Sequence, residues 1–124
     1  MTPYQLNEIK NAREENKLKS NFNNFLSKKL FELIFDAWDL DRKDTRVKML
    51  LEFQKHVNCE DEEELFNCEL SFAYYSNSKQ VKEGIIMNLA KYFRIWRNFY
   101  EMAIEQGKTI KNYGGSEIER YKIN

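Results

Sequence analysis

Cysteine, proline, glycine and histidine are all scarce in this chain of 124 residues: two, one, four and one respectively. Two thiols, Cys59 and Cys68, cannot build a disulfide framework, and a domain of this length does not require one, so both are read as reduced. So little proline and glycine leaves no linker to divide the chain, and no repeat or low-complexity segment is visible. One domain spanning 1–124 follows. Net charge is lacking too, because 20 Lys and Arg balance 20 Asp and Glu; binding to nucleic acid or anionic lipid would need a local patch. No apolar run reaches the roughly 18 residues of a membrane span, and the start, MTPYQLNEIKNAREENKLK, has no apolar leader region. These features predict a cytoplasmic protein with no membrane partner.

Catalytic signatures are missing as well. There is no Gly-rich phosphate loop, GxSxG, HExxH or paired CxxC. His56, Cys59 and Cys68 form the only soft-ligand cluster, and they lack the close pairing of a structural zinc site. Cys59 is followed by Glu60, Asp61 and Glu62, which oppose a thiolate nucleophile. The expectation is a non-enzymatic protein with no cofactor and no metal.

What the chain does have is apolar and aromatic material, 42% and 15% of its residues, arranged at helical spacing. The longest such pattern is residues 79–105. On a helical projection its apolar residues, from Val81 to Ile104, cover an arc of roughly 200°, leaving a narrow strip with Lys91, Arg94, Arg97 and Glu101 for water. The reading is an all-α, single-domain bundle of about five helices around this long central helix, with a short C-terminal tail. Any part of the arc left uncovered would be an interface.

The other helices are expected in order. Thr2 and Pro3 open a loosely docked N-terminal helix over residues 1–19. A second runs from Asn21 to Leu40, with Leu26, Leu30, Phe31, Leu33, Ile34, Ala37, Trp38 and Leu40 on its apolar half; Phe25 and Phe35 fall on the polar side. Asp44 caps a third, carrying Val47, Leu50, Leu51, Gln54 and Val57, widened by Met49 and Phe53 and ended by Asn58. Asp61 and the acids after it start a fourth, which buries Leu65, Phe66, Cys68, Phe72 and Ala73. Ser76 to Ser78 break and cap, and Gly107 ends the long helix in a left-handed conformation. Residues 108–124 read as a flexible tail, a hairpin around Gly114 and Gly115, or a short helix capped by Ser116.

Charge is uneven. Residues 1–58 hold eleven basic and nine acidic side chains, residues 59–77 none and six, and residues 78–124 nine and five. The acidic run Glu60, Asp61, Glu62, Glu63 and Glu64 can meet a basic partner, although a solvated first helical turn accounts for it too. Lys91, Arg94 and Arg97 lie within KYFRIWRNFY, but on a helix they part from Tyr92, Phe93, Trp96 and Phe99, so bases and cations would not share one groove.

The run LSFAYY at Leu70–Tyr75, VKE at Val81–Glu83 and the aromatic segment after them resemble the helical small subunits of CRISPR effector complexes, over roughly a third of the chain. The resemblance implies contact with a nucleic-acid backbone. The interval before the aromatic segment is shorter than in that family, and the leading expectation is a different one. It is a protein–protein interaction module, a small inhibitor or adaptor acting on a larger protein or complex. Phe25, Phe35 and Glu60 to Glu64 are its contact candidates, and homo-oligomerisation is left open. The alternative is a nucleoprotein subunit using Lys91, Arg94 and Arg97. Lysine outnumbers arginine by 14 to 6, and the abundance of Asn, Ile, Phe and Tyr points the same way, to AT-rich codons and a low-GC bacterium or its phage as the source.

Overall fold

The computed structural model describes residues 25–122. The expected helix over residues 1–19 and the start of the second at Asn21 lie outside them. The chain is helical over residues 25–37 (α1), then over Arg46–His56 (α2), Glu62–Ser76 (α3), Lys79–Lys82 (α4) and Leu89–Glu105 (α5). Short 3-10 turns at Leu40–Arg42, Ile110–Tyr113 and Glu119–Tyr121 complete it, and no strand occurs among the described residues. The all-α, single-domain architecture is as expected. No described helix is long and apolar enough to cross a membrane.

The spacing of Leu26, Leu30, Phe31 and Ile34 explains α1, since all four fall on one side and are buried. Its last turn is closed by Lys43, whose ammonium donates to the Phe35 carbonyl at 2.6 Å and lies 4.0 Å from the Phe35 ring centroid. A cation there suits the Phe35 carbonyl, which also accepts from the Trp38 N–H at 3.2 Å, and the negative end of the helix dipole. Leu40, expected on the apolar face, falls beyond this stop and is exposed.

α3 packs extensively on α5, and α2 packs on α5 as well. Phe31, Phe53 and Phe93 meet where α1, α2 and α5 converge, with ring centroids 5.3–6.3 Å apart. A second aromatic group joins Trp38, Tyr75, Tyr92 and Phe99, at 4.8–6.0 Å. Most of the aromatic surplus is thus spent on the core. Ser71, fully buried on α3, donates to the Trp96 carbonyl at 2.6 Å and lies 2.9 Å from the Tyr92 hydroxyl. The kink of α5 at Ile95 sits beside this intrusion of a hydroxyl into the helix ladder.

The continuous helix expected over 79–105 is not formed. α4 ends after one turn, Gly84 adopts a left-handed φ of 85°, and α5 begins only at Leu89. Residues between them trade helical bonds for tertiary ones. The Met87 N–H donates to the Tyr75 hydroxyl at 2.9 Å, the Met87 carbonyl accepts from the Trp38 indole at 3.0 Å, and the Ile86 carbonyl accepts from Arg42 at 2.7 Å. Buried backbone groups must be paired somewhere, and here long side chains from just past α1, from the following turn and from α3 do it.

Several caps are where the sequence puts them. Asp61 accepts from the N–H groups of Glu63 and Glu64, Ser78 accepts from Val81, and Gly107 has a φ of 69°. The α2 cap is Thr45 instead of Asp44: Thr45 accepts from Lys48 N–H, while Asp44 accepts from Thr45 N–H. The tail is no hairpin; it forms two 3-10 turns, and before the second the Ser116 hydroxyl accepts from the Glu119 N–H at 3.1 Å, the contact expected of a cap. Gly114 and Gly115, both with a φ of 93°, turn it back toward α3, where Ile118 is buried. There Glu69, only 3% exposed, accepts from the Ser116 hydroxyl at 2.5 Å and from the N–H groups of Glu117 and Ile118 at 2.8 and 3.2 Å.

Candidate protein-binding surface

α2 starts at the Thr45 cap and turns Met49 and Phe53 into the core, followed by Val57 just past its end. That orientation puts Val47 and Leu51 on the opposite side, 69% and 61% exposed. They were expected on the buried face. α2 has apolar residues nearly all round, so its pattern leaves the inward side open; the aromatic contact of Phe53 with Phe31 and Phe93 decides it. Val47 and Leu51 are four apart and therefore form one ridge.

Cations surround this ridge. Lys48 pairs with Asp44 at 3.6 Å and Arg46 with Glu32 at 3.3 Å, both exposed, while Lys55 is exposed. Arg94 of α5 reaches across to Glu52 at 3.4 Å, and the His56 ring stands 3.4 Å from the other Glu52 oxygen. The Arg94 hydrogen bond holds the Glu52 carboxyl below its ordinary range, partial burial opposing and the charges of Arg94, Lys55 and His56 assisting. Lys91, one turn before Arg94, is exposed and makes no ion pair with a described residue. An open cleft of about 320 Å³ lies at the start of α2, lined by Arg42, Lys43, Asp44, Met49, Asn88 and Ala90.

The residues singled out from the sequence are dispersed. Phe25 is 44% exposed and meets Tyr121 edge-on at 5.9 Å. Phe35 is half-buried, stacked on Phe31 and covered by Lys43 and Arg46. In the acidic run Asp61 is a helix cap, Glu62 pairs with Lys122 at 2.7 Å and Glu64 pairs with Arg97. Glu60 and Glu63 are exposed. Of the basic strip, Arg94 is held by Glu52, and Arg97 lines a cleft with Asp61, Glu63, Glu64 and Glu101. Four carboxylates around one guanidinium repel a phosphate.

The cysteines are quiet. Burial pushes the Cys68 thiol far above its ordinary range, with Cys59 and Glu69 adding to it. Cys59 is raised by burial and Glu60 against a hydrogen bond with Ser27. Among the described residues no group of three or more His, Cys, Asp and Glu side chains is placed to hold a metal ion.

Comparison with protein-family models, curated proteins and solved structures finds no match to this chain.

Proposed function

We propose that this protein is a non-enzymatic protein-binding module, a small inhibitor or adaptor of a larger protein or complex. The observation that carries the reading is the Val47–Leu51 ridge, two aliphatic side chains left in water on a helix whose other side is core. Burying what is left of each against a partner would gain about 1–2 kcal/mol, enough for the pair to act as an anchor. A composition favoured by AT-rich codons fits a phage or mobile element of a low-GC host as its origin. The alternative, a subunit contacting nucleic-acid backbone through Lys91, Arg94 and Arg97, is weakened by the carboxylates that already engage the two arginines.

The test is affinity purification from the native host with the wild-type chain and with Val47→Glu/Leu51→Glu. A protein or complex recovered in stoichiometric amount by the wild type and lost from the variant, with the variant's helical circular dichroism unchanged, is the expected result. Identical recoveries from both, or no protein from either, remove the reading.

A further inference from the structure

We propose that the exposed side of α2, with Val47 and Leu51 at its centre and Lys48, Lys55 and Lys91 at its margins, docks an acidic amphipathic helix of the partner. The proposal rests on the protein-binding reading above and adds the chemistry of what is bound.

Charge is the first argument. The exposed side of α2 and its margin on α5 carry four cations, Lys48, Lys55, Lys91 and Arg94, against two carboxylates, Asp44 and Glu52; Arg42 and Lys43 turn away to the Ile86 and Phe35 carbonyls. Glu52 is already held by Arg94. The pair of Lys48 with Asp44 is exposed and long, so it contributes little and exchanges readily for a carboxylate of a partner. Lys91 extends the same positive margin onto α5. A surface whose net charge is positive in a protein of zero net charge selects an acidic occupant by steering and by pairing at the rim.

Shape and polarity are the second. Val47 and Leu51, four apart on one helix, make a short ridge that fits the groove between side-chain rows of another helix. A nucleic-acid backbone would set phosphates against two aliphatic side chains and gain nothing from them. A second copy of this chain does not offer its acidic run, because Asp61, Glu62 and Glu64 are committed to a cap and to pairs with Lys122 and Arg97.

The probe is a cross-linked helical peptide of about 20 residues with Leu along one face and Glu on the other, compared with its Lys-for-Glu counterpart and with a single-stranded oligonucleotide. Binding to the full chain is read by amide chemical shifts at low salt. The acidic peptide should perturb residues of α2 and the first turns of α5, with affinity falling about tenfold or more at high salt. Lys48→Glu/Lys91→Glu should weaken it by a similar factor, and the Lys peptide should leave the shifts unchanged. No perturbation at millimolar acidic peptide, equal binding of both peptides, tighter binding of the oligonucleotide, or concentration-dependent dimers in sedimentation would each overturn the proposal.

Affinity purification with Lys48→Glu/Lys91→Glu separates the two levels. A partner lost from Val47→Glu/Leu51→Glu but retained by the charge-reversed chain overturns the acidic occupant and leaves the module reading standing. A partner retained by both variants sinks the module reading itself.

Discussion

Replacing Glu69 by alanine should undock the C-terminal tail. The buried carboxylate serves three donors, the Ser116 hydroxyl and the Glu117 and Ile118 N–H groups. Hydrogen bonds to a charged group are worth about 1.5–3 kcal/mol each, and their loss is offset in part because a buried charge disappears. The total is capped by the tail's own docking energy, whose main apolar component, burial of Ile118, is about 1.5–3 kcal/mol. A loss of about 2–4 kcal/mol follows, or roughly 8–16 °C in Tm for a domain of this size. Glu69→Gln should be much milder, because its amide N–H can donate to Ser116 while its oxygen accepts both backbone donors. Thermal unfolding measures the stabilities, and hydrogen exchange at Ile118 reports the docking. If Glu69→Ala stays within about 2 °C of the wild type, or if Glu69→Gln is equally damaging, the clamp argument is wrong.

The same carboxyl gives a pH dependence. Burial raises its pKa above the usual range, against the hydrogen bonds from Ser116, Ile118 and Glu117. A carboxyl raised in the folded state contributes stability that is complete below its unfolded pKa and lost as pH rises through the folded value. The stability of the wild type relative to Glu69→Gln should therefore increase from pH 7 to pH 5, as paired denaturation curves would reveal; a decrease would mean that the hydrogen bonds outweigh burial. Tyr75→Phe leaves the Met87 N–H without its acceptor and should cost about 1–2 kcal/mol, with Met87 exchanging faster than the middle of α5. A thiol reagent should leave Cys68 unmodified in the native protein and label it in urea; rapid native labelling would contradict its burial. Arg97→Ala should cost less than about 1 kcal/mol by denaturant titration, since its pair with Glu64 is exposed on the arginine side.

Features encoded locally were legible. Asp61, Ser78 and Gly107 each act within a few residues of themselves, and the acids after Asp61 mark the start of α3 as clearly as the structure does. The break before α5 was signalled only by Gly84 and Asn88 and was overridden, because Val81, Ile85 and Ile86 keep helical spacing while the groups that hold the unwound segment, Trp38, Arg42 and Tyr75, lie elsewhere in the chain. The inward side of α2 was equally hidden, since Val47, Leu51, Met49 and Phe53 offer two apolar faces to choose between. Glu69 left a trace that could have been read: it lies four residues after Leu65 and three before Phe72, a carboxylate set among core positions. The uncovered part of the central apolar arc proved to be its two ends, Ile85 on one side and Met102 with Ile104 on the other.

The side-chain bonds across residues 84–88 also dictate an order of assembly. A helix can gather its hydrogen bonds from its own neighbourhood, but Met87 and Ile86 depend on groups 49, 44 and 12 positions away. Closing those loops gains nothing until the ends of α1 and α3 already stand side by side. The connection should therefore lock last as the chain folds and release first as it opens, so α5 gains its fixed starting point only after the helices around it have met.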